Sequence, residues 1–434
     1  MDGGLPPGPS LPRLAQVARW LARPVPFASE QRARFGDAFT VHIEPRPWVM
    51  LADPDAIREL FTAAPDVAHA GEANEILRPI LGSHSILLLD ERAHLRQRRL
   101  MLPPFHGERM LRYRDVMREA TERAIVTWPV GQSFAMRPHT QAITLEVILR
   151  AVFGVESDAA AERLRVPLDR MLRWFGDPRV VGVVSALGPE HPVVSRTLGR
   201  MLAPVDEALY ALIAERRAAP ELAEREDILS LLLLATDTQS ASPTGTGEAG
   251  EPMTDAELRD ELMTLLTAGH ETTATALAWA VERLVRAPGA LDRVAADAAY
   301  RDAVVKETLR LRPVLPIVLR RLTRDARIGG REYAAGTTLA PCILLVHRRE
   351  DLYPEPHAFR PERFLDSAPG TYTWIPFGGG VRRCLGAAFA EEEMRVVLET
   401  VARRVRLEPA GPPERVRRRA ITLVPARGAR VRVA

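Results

Sequence analysis

Apolar positions recur at three- and four-residue spacing through most of residues 53–234, punctuated by Pro and Gly, which predicts a succession of helices. Before that run, residues 41–51 carry β-branched and apolar side chains interrupted by Pro45 and Pro47, the pattern of a short hairpin. The first dozen residues are rich in Pro and Gly and read as an extended lead-in, while 11–21 have an amphipathic stripe that predicts a surface helix. Residues 238–252 lack apolar periodicity and are rich in Ser, Thr, Gly and Pro, so a mobile surface loop is expected. Thr254 and Glu257 directly after it form a capping box, and a helical pattern runs from 257 to about 286, where Pro288-Gly289 ends it. Such a helix would be about 45 Å long, enough to cross a domain. A second helix is predicted over 290–312, stopped by Pro313, and a last one over 385–404. Strand-like pieces at 326–328 and 337–339 lie among turns, and the alternation of Arg with apolar residues in the tail predicts edge strands. The fold class is mainly α with a minor β portion, without internal repeats.

Composition narrows the possible functions. Hydrophobic residues make up 46% and charged residues 26% of 434, ordinary for a globular protein. A formal net charge of +3 is too small to imply nucleic acid. The high isoelectric point reflects arginine, since Lys306 is the only lysine, and with the abundant alanine this fits a GC-rich bacterial genome. No apolar run approaches the roughly 20 residues of a membrane-spanning helix, and the N-terminus lacks a basic-then-apolar signal pattern. A cytoplasmic protein is expected. Two cysteines, Cys342 and Cys384, do not make a disulfide framework.

The candidate chemistry concentrates in Phe377-Gly-Gly-Gly380-Val-Arg382-Arg-Cys384-Leu-Gly386. Consecutive glycines permit positive φ and a close backbone approach to something flat and bulky. Cys384 sits at the mouth of a predicted helix, where free N–H groups and the helix dipole stabilise a thiolate. One thiolate on an open loop suits a five-coordinate iron porphyrin. A phosphate loop would instead want Lys-Ser/Thr after its glycines, and no cysteine-protease signature flanks Cys384.

The stretch resembles the haem-binding loop of the cytochrome P450 family, Phe-x-x-Gly-x-Arg-x-Cys-x-Gly, matching it at Phe377, Gly380, Arg382, Cys384 and Gly386. Further matches extend the resemblance over roughly residues 52–404. Glu307-Thr-Leu-Arg310 matches the family's Glu-x-x-Arg, and its spacing puts both side chains on one helical face. Pro361-Glu-Arg363-Phe364 is similar to the segment whose arginine completes a buried Glu-Arg-Arg network. The resemblance implies one large P450-fold haem domain over 26–434, behind a lead-in of residues 1–25, with haem b as cofactor and Cys384 as the iron ligand. His94 and Arg98, together with Arg320 and Arg382, match the family's propionate-binding positions; Arg99, Arg321 and Arg383 are the neighbouring alternatives.

Ala268-Gly269-His270-Glu271-Thr272-Thr273, inside the long helix, resembles the family's oxygen-activating motif. Ala268 and Gly269 would leave room over the iron for dioxygen, and the Thr272 hydroxyl can turn inward to hold water. Glu271 would supply protons to it, a general-acid role. His270 is expected to face away from iron, and His347 and His106 read as structural. By resemblance, substrate contacts come from residues 71–89, the Phe175 region, the long helix and 314–319. Their apolar members Ile86, Leu87, Leu88, Ala268, Val314, Leu315, Ile317 and Val318 imply a hydrophobic substrate. Arg78 reads as an exposed loop arginine. No flavin or iron–sulfur module follows the haem domain, so the resemblance implies a monomer fed with NAD(P)H electrons by a separate ferredoxin and its reductase. Arg96, Arg99 and Arg383 are the expected docking charges. The activity implied is O2-dependent monooxygenation. Alternatives are a peroxide-using peroxygenase or isomerase, which tend to lose the acid–Thr pair, and a non-catalytic haem-thiolate binder.

Overall fold

In the computed structural model, residues 4–105, 107, 109–155, 158–175, 180, 183, 191–237 and 250–434 are described. The expected loop at 238–252 falls almost wholly outside them, as do His106 and the Phe175 side chain. Contacts gather into two compact units, Met1–Ala73 with Met117–Ile143 and Glu271–Ala434, and Asn74–Val116 with Thr144–His270. The architecture is mainly helical with small sheets. Among the described residues no helix is long and apolar enough to cross a membrane.

The first unit is organised on a five-stranded sheet in the order Ala38–Val41, Trp48–Leu51, Thr338–Pro341, Arg320–Leu322, Ala68–His69. The first two strands are the antiparallel hairpin expected around Pro45 and Pro47, with Ala38 opposite Leu51. Trp48–Leu51 then pairs parallel with Thr338–Pro341. Alternation along this strand divides its side chains between two cores: Trp48 and Met50 pack with Trp20, Phe27 and Phe39, Val49 and Leu51 with Ile57, Leu60 and Phe61. Both faces are covered, so every residue of the strand is buried.

Residues 4–25 do not stand apart from this unit. The helix Arg13–Ala22 places Trp20 in the core. Pro6 and Pro7 carbonyls accept from Thr40, and the Gln16 amide accepts from the His42 N–H. An amphipathic stripe correctly signals the helix and understates its burial.

The long helix spans Asp255–Leu284. Both capping-box bonds form: Glu257 N–H donates to the Thr254 hydroxyl at 3.2 Å, and Thr254 N–H to the Glu257 carboxylate at 2.8 Å. The single helix expected over 290–312 is instead two, Ala290–Ala296 and Ala298–Leu311. Asp297 breaks it, because its carboxylate accepts the N–H groups of Ala299 and Tyr300 and caps a new helix. The predicted strand at 326–328 forms a two-stranded ribbon with Arg331–Tyr333, and the tail supplies the strands Leu407–Pro409, Val416–Arg419, Thr422–Pro425 and Arg430–Val433.

In the second unit the helix Pro192–Ala218 buries Leu198, Leu202, Val205, Leu209 and Ile213, one face at three- and four-residue spacing. Helix Glu91–Met101 buries His94, Gln97, Leu100 and Met101 in the same way.

Candidate haem-thiolate site

The cysteine loop is held by its own backbone. Cys384 N–H donates to the Phe377 carbonyl at 2.9 Å, Arg383 N–H to Gly380 at 3.0 Å, and Gly378 N–H to Ile375 at 3.0 Å. Gly378 and Gly380 have φ of 69° and 64°, where a side chain would be strained. The close approach the glycines permit is to protein. A Cβ on Gly380 would lie 1.9 Å from the Phe61 carbonyl oxygen, and one on Gly379 2.3 Å from the Phe61 ring. The loop is thus seated on the end of the helix Pro54–Thr62. Trp374 meets the Phe377 ring edge-on at 6.0 Å.

The two cysteines differ in kind. Cys342 is fully buried, and burial pushes its thiol up to about 12, so it stays protonated and unreactive. Cys384 is an exposed thiol outside any disulfide, three residues before the helix Ala387–Arg404. Gly386 stands at that helix's N-cap, and its carbonyl accepts from Ala390.

Behind the loop lies a buried ion network. Glu307 and Arg310 are both fully buried and form a two-point pair, Nε to Oε2 at 2.7 Å and Nη2 to Oε1 at 2.8 Å. Arg363 Nε reaches Glu307 at 3.2 Å, and Arg360 N–H donates to Glu307 Oε1 at 2.8 Å. Arg310 spends its remaining donors on the carbonyls of His347, Pro356 and Ala358. His347 is therefore pinned by its backbone, and its ring Nε2 accepts the Ile375 N–H at 2.8 Å, two residues before Phe377. Burial pushes the His347 ring down to about 3, which keeps it neutral and able to accept that bond. Trp374 Nε1 donates to the Lys306 carbonyl at 3.1 Å, and the Lys306 ammonium pairs with Asp302. A continuous set of hydrogen bonds thus runs from the helix Ala298–Leu311 to the cysteine loop.

Among the expected cationic residues, Arg320 is buried, donates to the Leu319 carbonyl at 2.8 Å and lies 5.5 Å from the Phe61 ring, beneath the glycines; Arg321 is half-buried. Arg382 is half-buried and Arg383 exposed. In the second unit, His94 is buried and Arg98 half-buried on one helical face, while Arg99 is exposed and pairs with Asp237. Arg96 corrects the expectation of a solvent-facing docking charge. It is three-quarters buried and paired with Glu257 at 2.6 Å, the same carboxylate that caps the long helix.

Along the long helix, Ala268 is the only exposed residue between 256 and 284. The Thr144 hydroxyl donates to the buried His270's carbonyl at 3.1 Å, and a Cβ on Gly269 would find Ile148 at 3.4 Å. Glu271 is held from the helix Met136–Val147: Arg137 pairs with Oε1, and Gln141 donates to Oε2 at 2.7 Å. Sequence spacing offered no sign of these partners, which lie more than 120 residues away. Thr272 is half-buried beside Glu271.

Of the apolar candidates, Ile86 and Leu88 are buried and Leu87 half-buried. Val314 is buried and Leu315 half-buried, whereas Ile317 packs against the Trp48 core and Val318 against the Phe61 core. The 314–318 segment therefore divides its side chains rather than presenting them together. Arg78 is paired with Glu75 one helical turn away.

These residues fit an iron porphyrin. Within the first unit, the exposed Cys384 thiol on its glycine loop suits a flat group, and the buried Arg320 and half-buried Arg382 suit its carboxylates.

Comparison with known proteins agrees. The family model described as Cytochrome P450 matches residues 3–432. The chain is similar to cytochrome P450 135B1 of Mycobacterium bovis and of Mycobacterium tuberculosis, 43% identical over 448 residues, covering 99% of this chain and 91% of the relative. It also resembles cytochrome P450 137 of Mycobacterium tuberculosis, 40% identical with the same coverages. In fold it resembles the crystal structure of the cytochrome P450DA heme domain, with a TM-score of 0.84, 23% identity, and coverage of 99% of this chain and 97% of that one. A glycine-seated cysteine loop braced by a buried Glu-Arg-Arg network, together with this similarity over almost its whole length, places the chain in the cytochrome P450 family.

Proposed function

We propose that this chain is a haem-thiolate monooxygenase that inserts one oxygen atom from O2 into a hydrophobic small molecule, RH + O2 + 2e− + 2H+ giving ROH + H2O. The observation that carries this reading is one exposed, backbone-fixed thiol, Cys384, on a glycine-rich loop of a chain whose long helix also carries Glu271-Thr272. Haem b, when bound, supplies dioxygen binding and O–O cleavage favoured by its thiolate ligand. Cys384 Sγ would hold the iron, and the Phe377–Cys384 hydrogen bond fixes the thiol's backbone. His94, Arg98, Arg320 and Arg382 would bind the propionates, and Phe377 and Gly386 would belong to the haem-binding loop. Burial favours Arg320 and Arg382 over Arg321 and Arg383 for this task.

Ala268 leaves space, and Thr272 Oγ1 orients water. Glu271 passes protons to that water after its carboxylate leaves Arg137 or Gln141, so those two residues decide how often it is available. Ile86, Leu87 and Leu88 in the second unit, and Val314 and Leu315 in the first, are the apolar side chains this reading assigns to substrate contact, with Ile317 and Val318 packed into the cores. The acid–Thr pair supports O2 use over peroxide use. Electrons come from a separate ferredoxin and its reductase, ultimately from NAD(P)H. Arg383 faces a surface cleft of about 410 Å³ on the cysteine loop and replaces Arg96 as the leading docking charge.

The test is the absorption spectrum of the reduced, CO-bound protein. Wild type and Cys342→Ala should both show the red-shifted Soret band of a CO–thiolate haem, and Cys384→Ala should lose it. Retention of that band in Cys384→Ala would remove the ligand assignment.

A further inference from the structure

Residues 82–89 of the second unit form a strap that is bound to the long helix by three side chains that take no part in holding the haem. At one end is Gly82, with φ of 83°; a Cβ there would lie 2.0 Å from Asp260 Oδ1. Only glycine lets the strap come this close. The next contact is to the same carboxylate, which accepts both the His84 N–H at 2.9 Å and the His84 ring Nδ1 at 3.1 Å. Ser85 is fully buried, with its hydroxyl 2.7 Å from that of Thr264. Ile86 N–H donates to Glu261 Oε1 at 2.8 Å. Asp260, Glu261 and Thr264 are i, i+1 and i+4 of one helix, so three successive strap residues are bound to little more than one turn.

Within the strap, Ser85 organises residues 87–89. Its carbonyl accepts from Leu88 and Leu89, its hydroxyl from Leu87 N–H at 3.3 Å, and Asn74 donates to the Leu87 carbonyl at 3.2 Å. The directions of Ile86, Leu87 and Leu88 are therefore set by where Ser85 and Ile86 are pinned.

The chemistry of the anchors is unusual for a loop attachment. Asp260 is backed by Arg259, itself paired with Asp206. Glu261 has no cation among the described residues. It is fully buried, its Oε2 accepts no hydrogen bond, and Gln97 is its neighbour. Burial pushes its carboxyl up to about 8, so near neutrality it is mainly a neutral acid, a shape that glutamine reproduces. Placing an uncompensated carboxyl in the interior is costly. A loop needing only to be covered could use apolar packing; a hydrogen bond to one amide specifies register.

We propose that Asp260, Glu261 and Thr264 are positioning residues that set the register of the 82–89 strap on the long helix and thereby determine which shapes of apolar substrate are accepted. The proposal rests on the assignment of Ile86, Leu87 and Leu88 to the substrate pocket.

Its test uses the full haem-loaded chain and two ligands that bind ferric haem through an azole nitrogen, linear 1-dodecylimidazole and compact 4-phenylimidazole. Their spectral Kd values give a selectivity ratio without knowledge of the substrate. Glu261→Leu should speed amide exchange at Ile86, Leu88 and Leu89 at least ~10-fold and change the ratio by a similar factor, while Glu261→Gln stays within about twofold of wild type on both. Should Glu261→Leu fail to fold, the double variant Ser85→Ala, Thr264→Val removes both hydroxyls of that pair together, along with the Leu87 N–H contact to Ser85, and the same two changes are expected. Faster strap exchange with an unchanged ratio would overturn the link to specificity, and unchanged exchange would overturn the anchoring itself. Failure of the monooxygenase reading is separate, since it would show as loss of the CO–thiolate band in wild type.

Discussion

Glu307 and Glu261 are both completely buried carboxyls on helices, yet their surroundings are opposite. Glu307 faces two arginine side chains and a backbone N–H, and every partner belongs to the scaffold behind the cysteine loop. Glu261 has one amide and an uncharged neighbour. The first arrangement locks charges into a fixed geometry; the second contributes one backbone bond to a loop that Asp260 and Thr264 also hold. The dense ion pairing is concentrated behind the cysteine loop. A looser, more easily altered attachment serves the segment assigned to substrate fit.

The largest effect should come from breaking the locked side. Arg310→Ala leaves Glu307 buried beside Arg363 alone and frees three carbonyls, so about 3–5 kcal/mol of stability should be lost in urea unfolding. A loss below ~1 kcal/mol would put Glu307 and Glu261 in the same class after all.

Proton linkage should separate the two sides by sign. His347, on the cysteine-loop side, is pushed down to about 3 from an ordinary 6.5, so the unfolded chain binds the extra proton. Its contribution is present above 6.5 and is lost as pH falls from there toward 3, at up to ~1.4 kcal/mol per pH unit. Glu261 is raised from 4.5 to about 8, so the folded chain binds the extra proton. Its contribution is present below 4.5 and is lost as pH rises toward 8, with the same limiting slope of ~1.4 kcal/mol. Glu393, buried and likewise raised to about 8, adds to the alkaline loss. In stability–pH curves Glu261→Gln should remove one proton's worth of the alkaline slope and leave the acid limb intact. An unchanged alkaline limb would mean that Glu261 ionises normally.

The smallest effect sharpens the locked side. Arg363→Lys keeps the charge but loses the planar fork that reaches Glu307 and the Pro354 carbonyl, and should cost only about 1 kcal/mol in the same assay. A cost equal to that of Arg310→Ala would make Arg363 a full partner.

What the sequence made legible was local or dense in signal. The Phe377–Gly386 loop and the Glu307/Arg310 pair can be read because their residues lie within a turn or two of one another. The long helix could be read from Thr254 and Glu257, three residues apart. Glu261 could not, since its partner Ile86 is 175 residues away and one acid in an apolar run has no local signature. Arg96, expected outward because Arg98 is assigned to the propionates, escapes for the same reason: Glu257, 161 residues on, pairs with it and leaves it largely buried. Asp297 carried a usable signal, a capping residue inside a helical pattern, and outweighed the periodicity around it. The glycines were read correctly as a point of close approach, but the approaching group within the structure is Phe61.

Lys306 gives the scaffold a built-in reporter. It is the sole lysine, its ammonium is engaged by Asp302, and its carbonyl is engaged by the Trp374 indole. A protease specific for lysine therefore has one site in the entire chain, the peptide bond between Lys306 and Glu307, inside a buried helix. Cleavage at that bond requires the helix carrying the locked carboxylate to open, so the appearance of just two fragments would measure, without any label, how often the scaffold behind the cysteine loop comes apart.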